Sequence, residues 1–183
     1  MSSVHESKIV KVLIGTEQVV LDDLYHEADQ DQFVLRVHPS RIAAWRCPIC
    51  GRKAKKYDSG RGVRRWRSVD LGGQKVFVEA ETPRVCCKKH GVLVAAVPWA
   101  RHDSGFTRNF EETTCWLSVY SSQSVVSQFM RIDWHSVGRI SGRIYKELEA
   151  AAPSQFDGLV NIGIDETSYK KGHKYITVVV NHD

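Results

Sequence analysis

Two short turns constrain this chain more than anything else in it. The first is Cys47-Pro48-Ile49-Cys50-Gly51, and the second is Cys86-Cys87-Lys88-Lys89-His90-Gly91. A two-residue gap lets both side chains of a turn point into one pocket. Two such turns, each offering two soft donors, can close a tetrahedron around Zn²⁺. The glycine behind each pair lets the backbone fold around the ion without a Cβ clash. The chain is therefore expected to contain a zinc ribbon, with a structural Zn²⁺ held by Cys47, Cys50, Cys87 and His90. Cys86 is the alternative third ligand, but it lies one residue off the symmetric spacing and would point to the opposite side of a strand. About 36 residues separate the turns, more than a compact finger needs, so the ribbon should carry an insert.

The charge distribution adds a partner. Net charge is only +5. Yet Arg52, Lys53, Lys55, Lys56, Arg61, Arg64, Arg65 and Arg67 crowd one stretch against the single acid Asp58, with Tyr57 and Trp66 interleaved. Such a block inside a zinc module points to phosphate contacts, with a solvated loop as the plainer reading. The first residues lack the apolar core of a signal peptide, and Val92 to Ala100 is too short to span a bilayer. A cytosolic location is expected, where thiols bind metal rather than pair as disulfides.

Along the chain the hydrophobic period changes twice. Residues 9–14 read as a short helix ended by Gly15, and 19–21 and 33–37 as two strands, the second stopped by Pro39. Strand-like alternation over 63–88 is expected to belong to the ribbon, followed by a strand over 92–97. From Phe106 the period lengthens to about 3.6. Phe110, Leu117 and Tyr120 mark one helix and Val125 to Met130 a second. Trp134, Val137, Ile140, Ile144 and Leu148 mark a third, with Asp133 as its N-cap. The polar face of that third helix carries His135, Ser136, Arg139, Arg143 and Lys146. A short helix, a tight turn and a helix with a basic outer face form a helix-turn-helix pattern. Periodicity alone fits a generic helical bundle better; the neighbouring knuckles and basic block shift the reading to DNA. Gly138 and Gly142 fit a helix poorly. Ala150 to Ser154 reads as a linker. A strand over 159–164 ending in Asp165-Glu166, a Lys170-Lys171-Gly172 turn and a strand over 175–180 complete the chain.

These motifs, in this order, resemble the N-terminal part of a bacterial insertion-sequence transposase of the ISL-three type. The resemblance is carried by Cys47-Pro48-x-Cys50-Gly51 and by Arg84-Val85-x-Cys87-x-x-His90-Gly91 running on to Val97-Pro98-Trp99-Ala100. It is carried further by the helical segment from Phe110 to Tyr145, and by Ile162-Gly163-Ile164-Asp165-Glu166 through Lys171-Gly172-His173-Lys174-Tyr175. It implies an α+β, multi-module chain. The expected modules are a lead-in over 1–45, a zinc ribbon over 46–100 and a three-helix helix-turn-helix unit over 101–150. The last, over 151–183, is the first β-hairpin of a truncated ribonuclease-H-like domain. In such transposases three carboxylates hold two Mg²⁺ ions for in-line phosphoryl transfer. Asp165 takes the place of the first; the other two positions lie downstream, so this chain alone is expected to be inactive.

The implied partner is double-stranded DNA at the element's terminal inverted repeats. A second copy or a full-length transposase would be a further partner, in the nucleoid and not at a membrane. Arg139 is expected to read a base edge near His135 and Ser136. Arg143, Lys146, Arg64, Arg65 and Arg67 are expected on phosphates. A stand-alone zinc-ribbon and helix-turn-helix transcriptional regulator is the competing function.

Overall fold

The structure, a computed structural model, describes residues 6–152, 158, 160–170 and 172–181. It divides into two compact units, residues 1–144 and 145–183.

The first unit is built on a four-stranded sheet. Helix α1 (Glu6–Ile14) leads into β1 (Val19–Glu27), which turns through a 3₁₀ segment (Ala28–Gln30) into β2 (Gln32–Pro39). Strands β4 (Val63–Leu71) and β5 (Gln74–Glu81) form a second hairpin. The hairpins join through β2 and β5, which run parallel with Phe33 opposite Val76 and Leu35 opposite Val78, giving the order β1-β2-β5-β4. Period-two alternation gives this sheet two different faces. Leu35, Val37, Trp66, Val76, Val78 and Ala80 are buried together with Val10 and Ile14 of α1 and with Trp99. The Trp66 and Trp99 rings meet edge to face at 5.6 Å. The intervening residues Arg36, Arg65 and Glu79 form an ionic network.

This corrects the expectation that residues 63–88 belong wholly to the ribbon. The β4–β5 hairpin carries a continuous apolar face, and β2 supplies the apolar surface that covers its edge. A boundary at residue 45 consequently divides one sheet. The ribbon itself is smaller: β3 (Lys55–Asp58), β6 (Arg84–Cys87) and β7 (Gly91–Val94), in the order β3-β6-β7. The chain leaves the four-stranded sheet after Pro39 to form β3, returns to it at Val63, and leaves it again after Glu81 to complete the ribbon with β6 and β7.

Three helices follow: α2 (Arg108–Tyr120), α3 (Gln123–Met130) and α4 (Trp134–Ala151). Each start is capped. The Thr107 and Ser122 hydroxyls accept from the N–H groups of Phe110 and Val125, and Asp133 Oδ1 accepts from Ser136 N at 2.9 Å. Phe110, Val126, Met130, Val137, Ile140 and Ile144 form the core of the three-helix unit. Trp134 does not join it; this ring is 55% exposed and stacks on His135. Leu148 is exposed too. A Cβ on Gly142 would meet nothing, and one on Gly138 would make an ordinary contact with the Gln123 side chain, so close helix packing explains neither glycine.

In the second unit, β8 (Ile162–Lys170) and β9 (Lys174–Asn181) form an antiparallel hairpin with Asp165 opposite Val178 and Glu166 opposite Thr177. The first strand runs on past Glu166, which places Asp165 inside the strand rather than at its end. Leu159, Lys171, Asp183 and the linker residues 153–157 lie outside the described residues. No helix among the described residues is long and apolar enough to cross a membrane.

Candidate metal centre and nucleic-acid interface

The two knuckles meet. One donor atom from each of Cys47, Cys50, Cys87 and His90 lies within 4.8 Å of all the others. Cys47 Sγ is 3.4 Å from His90 Nδ1, Cys87 Sγ is 3.7 Å from the same nitrogen, and the Cys50 and Cys87 sulfurs are 3.8 Å apart. Backbone turns set this geometry. Gly51 N donates to Cys47 O and Cys47 N donates to Arg52 O, both at 2.9 Å. Gly51 and Gly91 sit at φ +68° and +73°, in the left-handed region where a Cβ would be strained. Register separates the two adjacent cysteines of β6. Cys86 pairs with Lys55 and Val92 and is exposed, whereas Cys87 is buried and faces the cluster.

The thiols are tuned apart. N–H groups of Lys89 and His90 pull Cys87 down to about 6, which favours a thiolate at neutral pH. The backbone at Arg52 pulls Cys50 down, but burial and the neighbouring Cys47 and Cys87 outweigh it and push Cys50 up. Three sulfurs and one imidazole nitrogen at these separations are the donor set of a closed structural Zn²⁺ site.

The expected DNA contacts fare unequally. His135, Arg139 and Lys146 are exposed on α4. Arg139 Nη2 donates to Ser136 Oγ at 2.8 Å, and that hydroxyl donates to Asp133 Oδ2 at 2.5 Å. Ser136 is itself buried, so its place is beneath Arg139 rather than at a base. The same hydroxyl and the Ser136 N–H hold the Asp133 carboxyl below its usual range. Arg143, expected on phosphate, bonds to Glu111. That carboxylate is fully buried and also accepts from Arg101 Nη1 at 3.0 Å and Ser104 Oγ at 2.7 Å.

The three sheet arginines are also engaged by the protein's own groups, Arg65 at the surface. Arg64 Nη2 donates to Ser104 O at 2.6 Å, and its guanidinium lies over the Trp66 ring. Arg65 binds Glu27 at 2.6 and 3.0 Å and Glu79 at 2.7 Å; these carboxylates raise its pKa further still. Arg67 is buried, bonded to Asp70, and lies over the Phe77 and Phe110 rings. Asp70 in turn holds Arg131, the left-handed residue that ends α3. Sequence reasoning missed Glu111, which ties α4 to α2 and the segment before it, and Asp70, which ties the end of α3 to β4. Only their remote arginine partners reveal them. Asp165 is exposed on β8, its Oδ1 accepting from Glu166 N at 2.8 Å.

Residues 43–90 match the family described as the zinc-finger of transposase IS204/IS1001/IS1096/IS1165. Residues 95–141 match the helix-turn-helix domain of transposase family ISL3. The chain is 45% identical over 181 residues to the transposase for insertion sequence element IS1557, from each of two strains of Mycobacterium tuberculosis. The alignment covers 96% of this chain and 40% of each relative, so the chain spans well under half the length of the curated relatives it matches. No solved structure matches it.

Proposed function

From a chain that carries the zinc ribbon and DNA-binding helix-turn-helix of the ISL3 transposase family, we propose that it recognises the terminal inverted repeats of an insertion sequence. One observation carries this reading. Arg139 stands exposed near the start of α4 and is oriented by the Ser136 hydroxyl, itself fixed by the capping residue Asp133. N-terminal residues of a recognition helix reach base edges in the major groove, and an arginine there reads guanine O6 and N7 as a fork. His135 flanks it. Lys146, farther along the same helix, meets phosphate. The Cys47, Cys50, Cys87 and His90 set holds a structural Zn²⁺ that keeps the ribbon folded.

The whole protein's activity follows from the same family. Asp165 would be one of three carboxylates that together hold two Mg²⁺ ions, and that pair would supply the chemistry of activating a hydroxyl and stabilising a leaving oxygen in DNA strand transfer. The ribbon and the three helices act in recognition, alongside a second copy or a full-length transposase.

A binding titration on the element's own ends and on scrambled duplex tests the reading. Arg139→Ala should cost about 1–3 kcal/mol on the preferred site and relax the preference at one base. Equal affinity of the unaltered chain for both DNAs would refute it.

A further inference from the structure

The basic block read in the sequence separates in space. Arg64, Arg65 and Arg67 turn into the sheet unit, where carboxylates, a carbonyl and aromatic rings receive them. The block's first residues stay at the surface, where Lys53 Nζ donates to Arg41 O at 3.3 Å and meets no carboxylate. Arg52 and Lys53 follow the first metal-binding turn, and Lys88 and Lys89 lie inside the second. The metal cluster draws the two pairs together. Cys47 N bonds to Arg52 O at 2.9 Å, while Cys47 Sγ sits 3.4 Å from His90, the residue after Lys89. All four cations are exposed. The one acid among residues 46–58 and 84–94 is Asp58, and Arg84 holds it. Four like charges at one end of a small module repel each other with no carboxylate between them, and a run of phosphates would relieve that repulsion.

We propose that Arg52, Lys53, Lys88 and Lys89 form a second DNA-contacting surface at the tip of the ribbon, one that follows the phosphate backbone of duplex DNA. This rests on the reading that the chain binds DNA, but it uses residues that the helix-turn-helix does not supply. Phosphate contact carries no base information, so the tip supplies affinity and salt dependence while Arg139 supplies sequence preference.

The test uses the full chain with Zn²⁺ bound and follows duplex affinity against salt. Each lost phosphate contact lowers the slope of log K on log salt by about 0.9. The variant with Arg52, Lys53, Lys88 and Lys89 all changed to Gln should lose about 3–4 units of slope, equally on element ends and on scrambled duplex. The milder pair Lys88→Gln and Lys89→Gln should lose about 2 units. Zinc content measured on each variant checks that the knuckles remain folded. If the fourfold variant lost its metal, the pair variant would decide. An unchanged slope in a zinc-replete variant would overturn the inference. If Arg139→Ala still lost its preference in that experiment, the helix-turn-helix reading would stand while the tip fell. Failure of the unaltered chain to bind any duplex would overturn both.

Discussion

Glu111 is the residue whose removal should be felt most widely. Its side chain is fully buried on α2 and pairs with two arginines. It receives Arg101 from the segment before α2, Ser104 from the turn that follows, and Arg143 from α4. Arg101 is 8% exposed at the side chain and Arg143 33%. These exposures decide the size of the effect. On Glu111→Ala, Arg143 can swing to water at small cost. Arg101 cannot, and it loses its buried counter-charge, although Glu112 lies 3.3 Å from its Nη2. Breaking a buried pair from one side costs about 3–5 kcal/mol. Glu112 places this case near 3, a large part of a stability of about 5–15 kcal/mol. Arg143→Ala leaves the carboxylate with Arg101 and Ser104 and should cost about 1.5 kcal/mol, the loss of one charge-assisted hydrogen bond. Urea denaturation followed by circular dichroism measures both. The double variant should cost less than the two single losses added together, because the same bond is removed twice. A loss below about 1 kcal/mol for Glu111→Ala, or strict additivity, would show that this carboxylate does not tie α4 to the rest of the unit.

Two further outcomes follow from the geometry. Cys50→Ser should release the metal and unfold the three-stranded ribbon, while Cys86→Ser should retain it; zinc analysis and tryptophan fluorescence check both. Gly142→Ala should stabilise the chain by about 1 kcal/mol, since the added methyl meets nothing in a helix interior; a fall in DNA affinity in the same variant would mark the bare backbone there as a DNA contact.

The metal centre was legible because its information is local. Two fixed spacings and two glycines specify the turns, and strand alternation alone separates Cys87 from Cys86. The three helices were legible for the same reason: a 3.6-residue period and a capping aspartate are short-range signals. The sheet was not. Nothing near Leu35 announces Val78, and parallel pairing leaves no turn motif at the join. The arginines misled on similar grounds. A run of cations reads as a phosphate surface only while its counter-charges are out of view. For Arg65 these are Glu27 and Glu79, and for Arg143 it is Glu111, 32 residues back along the chain. Trp134 misled in the other direction: it falls at a helical spacing with Val137 yet stays in solvent beside His135.

The parallel seam also governs how the chain must fold. Each hairpin, β1–β2 and β4–β5, closes through a short local turn and can form early. The seam joins partners such as Arg36 and Glu79, 43 residues apart with the first metal-binding turn and β3 between them, so it closes late and carries most of the loop-closure entropy. Until then β2 and β5 both present open edges set with Val34, Val37, Val76 and Val78. Such edges add strands from any neighbouring chain. Once knotted by its metal, the ribbon shortens the free loop between the edges and brings them together sooner. Chains synthesised without zinc should therefore be lost to aggregation before the seam forms, rather than accumulate as folded protein lacking an ion.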